Sequence, residues 1–300
     1  MNTGTDRRGL WIAVASFVLW GLMPLYWHLL NAVPSLMIVA HRIVWSTLLV
    51  TAWLSWKNGR HWFREVMREP RKAGMLAISG CLIAFNWGLY IWAVNAGHVI
   101  ETSLGYFIGP LVSVMLGVLF LGERLRTVQW VSVTLAFAGV VWLTLQYGRP
   151  PLIALGLAIS FAVYGLVRKL VAVEAVTGLG VENVYLFPAA LALMFWGETQ
   201  GMGGFFGQWG LGLDALLVIA GALTALPLIG FAYAVRRVSL TAIGLLQYVA
   251  PTLQFLIGWL VLREAFDAKR AVGFALIWVG LIVFASEGVW RSRRLAAAAA

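Results

Sequence analysis

The chain has 300 residues, of which 61% are hydrophobic and only 11% charged, with a mean hydropathy of +0.87. A soluble domain carries about a quarter charged residues, so this composition excludes a water-soluble globule and requires a bilayer, with membrane lipid as a partner. The net charge of +10 does not imply nucleic acid, because the basic residues fall in short loops between apolar stretches, where they set membrane orientation.

A helix needs about 20 mostly apolar residues to cross the hydrocarbon. Ten stretches meet that length, roughly 9–28, 34–55, 73–94, 102–121, 127–146, 151–169, 182–199, 213–234, 240–261 and 269–288. Arg7 and Arg8 mimic the basic start of a signal peptide. The apolar run after them continues towards His28 with no small-residue cleavage site behind it, so a retained first span is expected. Two stretches are too polar for lipid. Lys57 to Lys72 is basic and expected as a short surface helix, and Gly201 to Gly212 is Gly-rich and uncharged. The single cysteine, Cys81, lies in an apolar run and can form no intrachain disulfide. No Cys/His spacing suits a metal, and no cofactor is expected. With the N-terminus in the cytoplasm, the inside regions hold 17 of the 22 Lys and Arg, the outside loops hold 4, and Arg42 remains within a span. This asymmetry places both termini inside.

The block from Leu76 to Gln146 recurs without a gap from Leu217 to Glu287, an offset of 141 with 16 identities over 71 positions. Coincident Leu or Val means little in so apolar a chain, but Pro110 meets Pro251, Glu123 meets Glu264, and Gly80, Gly117 and Gly139 meet Gly221, Gly258 and Gly280. A fainter echo at an offset of 144 pairs Ser16-Phe17 with Ser160-Phe161 and Gly21-Leu22 with Gly165-Leu166. The chain reads as two units, 1–148 and 149–300. Units that each cross the membrane an odd number of times sit upside down relative to each other, an architecture of secondary transporters.

Polar groups at membrane depth are costly and usually face a bundle interior or a water-filled path. Arg42 lies eight residues past Pro34, about 12 Å in at about 1.5 Å per residue. It either snorkels to the outer interface or faces a central cavity and holds a carboxylate. Its neighbour His41 either titrates near neutral pH or simply packs. Pro110 and Pro251 stand near the middle of their spans and free the carbonyls of Tyr106 and Gln247. Paired helix breaks at equivalent places in two halves mark a transporter's binding site; a kink serving packing is the alternative. Asn86 and Trp87 sit together in the third span, Trp20 and Trp45 lie too deep for the interface belt, and Tyr164 is the repeat counterpart of Trp20. Together these suit a cavity for aromatic or amphipathic solutes. Glu101 and Glu182, near span ends, read as caps or interface groups rather than proton carriers.

Several ordered motifs resemble the RarD-type permeases of the EamA family, within the drug/metabolite transporter superfamily. In the first half these are Trp20-Gly21 with Pro24, His41-Arg42 with Trp45-Ser46, Asn86-Trp87, Tyr90 to Asn95, Ser103 to Ile108 before Pro110, and Gly122-Glu123-Arg124. In the second they are Gly165 to Lys169, Glu174 to Gly178, and Gln247-Tyr248 with Pro251-Thr252. The resemblance implies an all-α membrane protein of ten helices as two inverted five-helix repeats, in a bacterial cytoplasmic membrane, moving small metabolites or drugs, often outward. Two departures stand out: Gly109 where the family commonly has Asn, and Arg263 where it has Gly.

The leading expectation is therefore a secondary transporter, not an enzyme, with a small-molecule substrate and a proton or solute gradient as energy source. A membrane enzyme acting on lipid would need a converging nucleophile, acid and base, and no such spacing is present. A non-transporting scaffold would have no use for paired mid-span prolines.

Overall fold

The computed structural model describes residues 6–59, 61–96, 98–147, 150–205, 207–261 and 268–297. Every regular element among them is helical, as expected where backbone groups in lipid must find partners within their own segment. The first half holds α1 (Arg7–Leu29), α2 (Ser35–Asn58), the short α3 (His61–Met67), α4 (Pro70–Asn95), α5 (Val99–Leu121) and α6 (Thr127–Tyr147). The second holds α7 (Leu152–Leu170), α8 (Ala175–Thr199), α9 (Leu211–Val235), α10 (Leu240–Gln247), α11 (Val249–Leu256) with a π-helical turn at Ile257–Val261, and α12 (Ala268–Ala297). Eight of these, α1, α2 and α4 to α9, are long and apolar enough to cross a membrane by length and composition, and α12 carries a shorter apolar run, Ala271–Glu287.

The Lys57–Lys72 stretch holds the short helix α3, with Trp62 and Val66 buried against the main core, between the end of α2 at Asn58 and the start of α4 at Pro70. One boundary needs correction. The seventh span begins at Ala175 rather than at residue 182, so Glu182 lies two turns inside the helix rather than at its end.

The packing carries the repeat. α1 packs on α9 as α7 packs on α4; α5 packs on α7 as α10 and α11 pack on α1; and α2 with α8, α5 with α10, and α6 with α12 pair directly. The exchange extends to single atoms. A Cβ on Gly139 would lie 2.6 Å from the Gly273 carbonyl, and one on Gly280 would lie 2.8 Å from that of Ser132. Ser132 and Gly273 are themselves 141 residues apart, so this is the same contact made twice. The Tyr248 hydroxyl donates to the carbonyl of Phe107, its own repeat counterpart, at 3.0 Å.

At the end of the bundle that holds the N-terminus, polar groups tie the elements together. Gly122, with φ +63°, ends α5 in the left-handed conformation that glycine adopts without steric cost. The chain reverses there and places Glu123 against the start of α10. Its carboxylate accepts from the Leu240 and Thr241 amides at 2.6 and 2.8 Å and from the Thr241 hydroxyl at 2.7 Å. Lys169 donates to the carbonyls of Val235 and Val238 at the end of α9, and Arg236 donates to that of Val173. The counterpart Glu264, with Arg263, lies outside the described residues. Since Glu123 acts as a cap supplied from another loop, Glu123→Ala is expected to cost about 0.5–2 kcal/mol and Glu123→Gln less. Thermal melting of the purified protein in detergent checks this.

Candidate functional site

A cavity of about 240 Å³ lies between α1, α4, α5, α7, α9 and the α10–α11 segment, with Arg42 reaching it from α2. It occupies the half of the bundle away from the N-terminus. Proline chemistry shapes its walls. Pro24, Pro110, Pro227 and Pro251 cannot donate to the carbonyl four residues back, and those carbonyls belong to Trp20, Tyr106, Leu223 and Gln247. All four of these residues line the cavity. The Trp20 carbonyl is taken up by the Gln254 side-chain amide at 3.2 Å.

The expected matching helix breaks are only half present. The helix around Pro251 stops at Gln247 and restarts at Val249, but α5 runs through Pro110 without interruption. A proline removes one helical hydrogen bond, and α5 is held along α7 and α10, which carry it past the gap.

Arg42 is the one cation on the described wall. Its guanidinium lies between the Trp27 ring, 4.7 Å away, and the Trp87 ring, 5.2 Å away. Its Nε donates to the Thr224 hydroxyl at 2.9 Å, and that hydroxyl donates to the Ala220 carbonyl at 2.7 Å. Among the described residues no carboxylate stands within ion-pair distance of Arg42. Two indole faces and one hydroxyl thus hold the cation at the cavity wall. Asn86 is fixed on the facing side by donating to the Leu157 carbonyl and the Ser160 hydroxyl, both at 2.9 Å. Gln247 accepts from Ser113 at 3.4 Å.

Of the residues singled out in the sequence, Trp20, Arg42, Asn86, Trp87, Tyr106, Gln247, Pro110 and Pro251 meet around this cavity, and Gly109 lies on its wall. His41, Trp45 and Tyr164 do not. Successive residues on a helix point about 100° apart, at 3.6 residues per turn. With Arg42 turned to the cavity, His41 and Trp45, one turn apart, share another face. There the Trp45 indole donates to His41 Nδ1 at 3.2 Å, and the His41 ring meets Trp209 edge-on. Tyr164 lies sealed beneath the cavity, stacked on Phe231 at 6.0 Å. Sequence reasoning missed Trp27, Thr224 and Gln254. Thr224 is the counterpart of the plain apolar Ile83.

Glu182 is also corrected. It is 1% exposed and pairs at 3.3 Å with Arg168, likewise 1% exposed. The Ser79 hydroxyl donates to its carboxylate, and Arg168 donates to the Ala175 carbonyl at 3.0 Å. Neither is a cap or a loop charge. The sequence shows each as a charge near a span end and cannot show that they meet. The side chain of Glu101 lies outside the described residues.

The profile of the EamA-like transporter family matches twice, at residues 7–145 and 149–286. A protein named RarD from Streptomyces exfoliatus is 45% identical, covering 96% of this chain and 91% of its own length. Another RarD, from Salmonella typhimurium, is 42% identical over 98% of this chain and 100% of its own. A solved structure superposes with a TM-score of 0.69 at 20% identity, covering 92% of this chain and 96% of that one; at that identity it shows the fold. The chain belongs to the EamA-like transporter family. It is a multi-pass membrane protein built on a transporter scaffold.

Proposed function

We propose that the chain is a secondary transporter that exports small metabolites or drugs by alternating access. In this reading its ten membrane-crossing segments form two inverted five-helix repeats in a bacterial cytoplasmic membrane, with both termini in the cytoplasm. The substrate is anionic or zwitterionic, its carboxylate held by Arg42 and its body by the surrounding rings. One observation carries the reading: the cavity wall is built from repeat counterparts. Tyr106 with Gln247, Gly109 with Ala250, Pro110 with Pro251, Trp87 with Leu228 and Ile83 with Thr224 all line it. A site astride the repeat axis is where two inverted halves expose one ligand to alternate sides.

The described wall holds no Asp, Glu, His, Cys or Ser, the groups from which a reaction on lipid most often draws its nucleophile, acid and base. The test is flux. Purified protein in sealed liposomes is offered amino acids, small aromatic carboxylates and chloramphenicol, the last because a 34% identical Pseudomonas aeruginosa relative is named a chloramphenicol-sensitive protein. Saturable counterflow of one of them is expected; lipid turnover without flux would reverse the reading. For orientation, cysteines placed between residues 57 and 72 should resist impermeant thiol reagents in intact cells. Labelling from outside would invert the topology.

A further inference from the structure

Four rings form a cluster at one end of the cavity, Phe17 and Trp20 from α1 and Phe161 and Tyr164 from α7, the first three lining it and Tyr164 sealed behind them. At the offset of 144, Phe17 corresponds to Phe161 and Trp20 to Tyr164, so exchanging the halves returns the same four residues. Phe231 of α9 covers the cluster, with its centroid 6.2 Å from Phe17, 5.9 Å from Trp20, 5.3 Å from Phe161 and 6.0 Å from Tyr164. Phe231 and Tyr164 are 1% and 0% exposed. They close the cavity towards the N-terminal end of the bundle.

The counterpart of Phe231 at the offset of 141 is Tyr90 on α4. Its surroundings are not equivalent. Tyr90 lines the cavity, is 37% exposed, and among the described residues makes its ring contact with Tyr106 at 6.1 Å rather than with any of the four. The helices differ in the same sense: α9 packs on both α1 and α7, whereas α4 packs on α7 without comparable packing on α1. Repeat-related residues in unlike environments are what one state of a two-state exchange must show, because the second state is the first with the halves exchanged.

We infer that Phe231 and Tyr90 are alternating caps on the four-ring cluster. In the structure described, Phe231 is seated on the cluster and Tyr90 stands away from it at the cavity wall. In the other state Tyr90 seats against Phe17 and Trp20, α4 closes on α1, and Phe231 withdraws with the end of α9. The inference rests on the alternating-access reading and assigns its moving parts.

The test uses the full chain with Cys81→Ala as background. Phe161→Cys with Phe231→Cys reports the seated cap seen here, and Phe17→Cys with Tyr90→Cys, their counterparts, reports the other. In native membranes both pairs are expected to join through a short thiol-reactive linker. Failure of the second pair, in protein that elutes and melts like the background, overturns the inference. So that no result depends on a double variant folding, Phe231→Cys alone is expected to react measurably with a small thiol reagent despite its burial; complete protection over hours overturns the exchange. The two readings separate cleanly. No link between positions 17 and 90 in protein that moves solute in liposomes removes the gate and leaves transport. Both links in protein that moves no solute of the panel uphold the gate and count against transport.

Discussion

Replacing Arg42 by alanine is expected to abolish most of the flux while leaving a folded, inserted protein. A charge at membrane depth costs about 2.5–3.5 kcal/mol on insertion scales, and here no described carboxylate repays that cost. Two indole faces and Thr224 hold the guanidinium at the cavity wall, where the proposed substrate would bring its anion. Losing one partner of a desolvated charge pair costs about 2–5 kcal/mol, which at about 1.4 kcal/mol per tenfold is a loss of roughly 30-fold or more. Arg42→Lys keeps the charge but loses the planar fork and is expected to transport at an intermediate rate. Thr224→Val, which removes the acceptor for Nε, should fall between Lys and wild type. Counterflow in liposomes, normalised to inserted protein, measures all three. Full flux by the alanine variant would show that Arg42 only snorkels, and the site would then centre on Asn86, Tyr106 and Gln247.

The parts of this molecule that show in its sequence are those that rare residue types mark. Pro and Glu are scarce in so apolar a chain, so Pro110/Pro251 and Glu123/Glu264 at one offset reveal two copies of a unit, and the packing of α6 on α12 repeats that exchange down to the Gly139 and Gly280 contacts. Arg42 was legible because a charge inside a span has few reasons to be there. What stayed hidden depends on rotation about a helix axis or on partners distant in sequence. His41 and Arg42 are adjacent, yet one packs on Trp45 and the other meets the cavity. Trp20 and Tyr164 are repeat counterparts, yet one lines the wall and the other is sealed beneath it, because the halves are not in equivalent positions. No pattern in the residues encodes which of two repeat counterparts reaches the wall. The Pro110 helix stayed continuous because tertiary contacts with α7 and α10 outweigh one missing hydrogen bond.

The second large effect is expected away from the cavity. Arg168 and Glu182 are both buried, and Arg168 lies so close to α8 that a Cβ on Gly178 would sit 2.0 Å from its Nη1. Glu182→Leu removes the counter-charge and leaves a buried guanidinium whose acceptor, among the described residues, is the Ala175 carbonyl. Breaking a buried pair from one side costs about 3–5 kcal/mol, a large share of the stability of any single chain. Arg168→Met is expected to be milder, because an isolated buried carboxylate can take up a proton and become neutral, whereas a guanidinium stays charged. The double variant, Arg168→Met with Glu182→Leu, removes both charges and is expected to be more stable than Glu182→Leu alone. The two losses are thus strongly non-additive, as they must be for groups whose desolvation is shared. Melting of the four proteins in one detergent closes the cycle, and simple additivity would mean that the pair does not interact. Because Ser79, on α4, donates to Glu182 on α8 while Arg168 comes from α7, the pair clamps three helices at one point. A double variant that melts near wild type yet transports slowly would therefore place this clamp among the contacts that must open and re-form in each cycle.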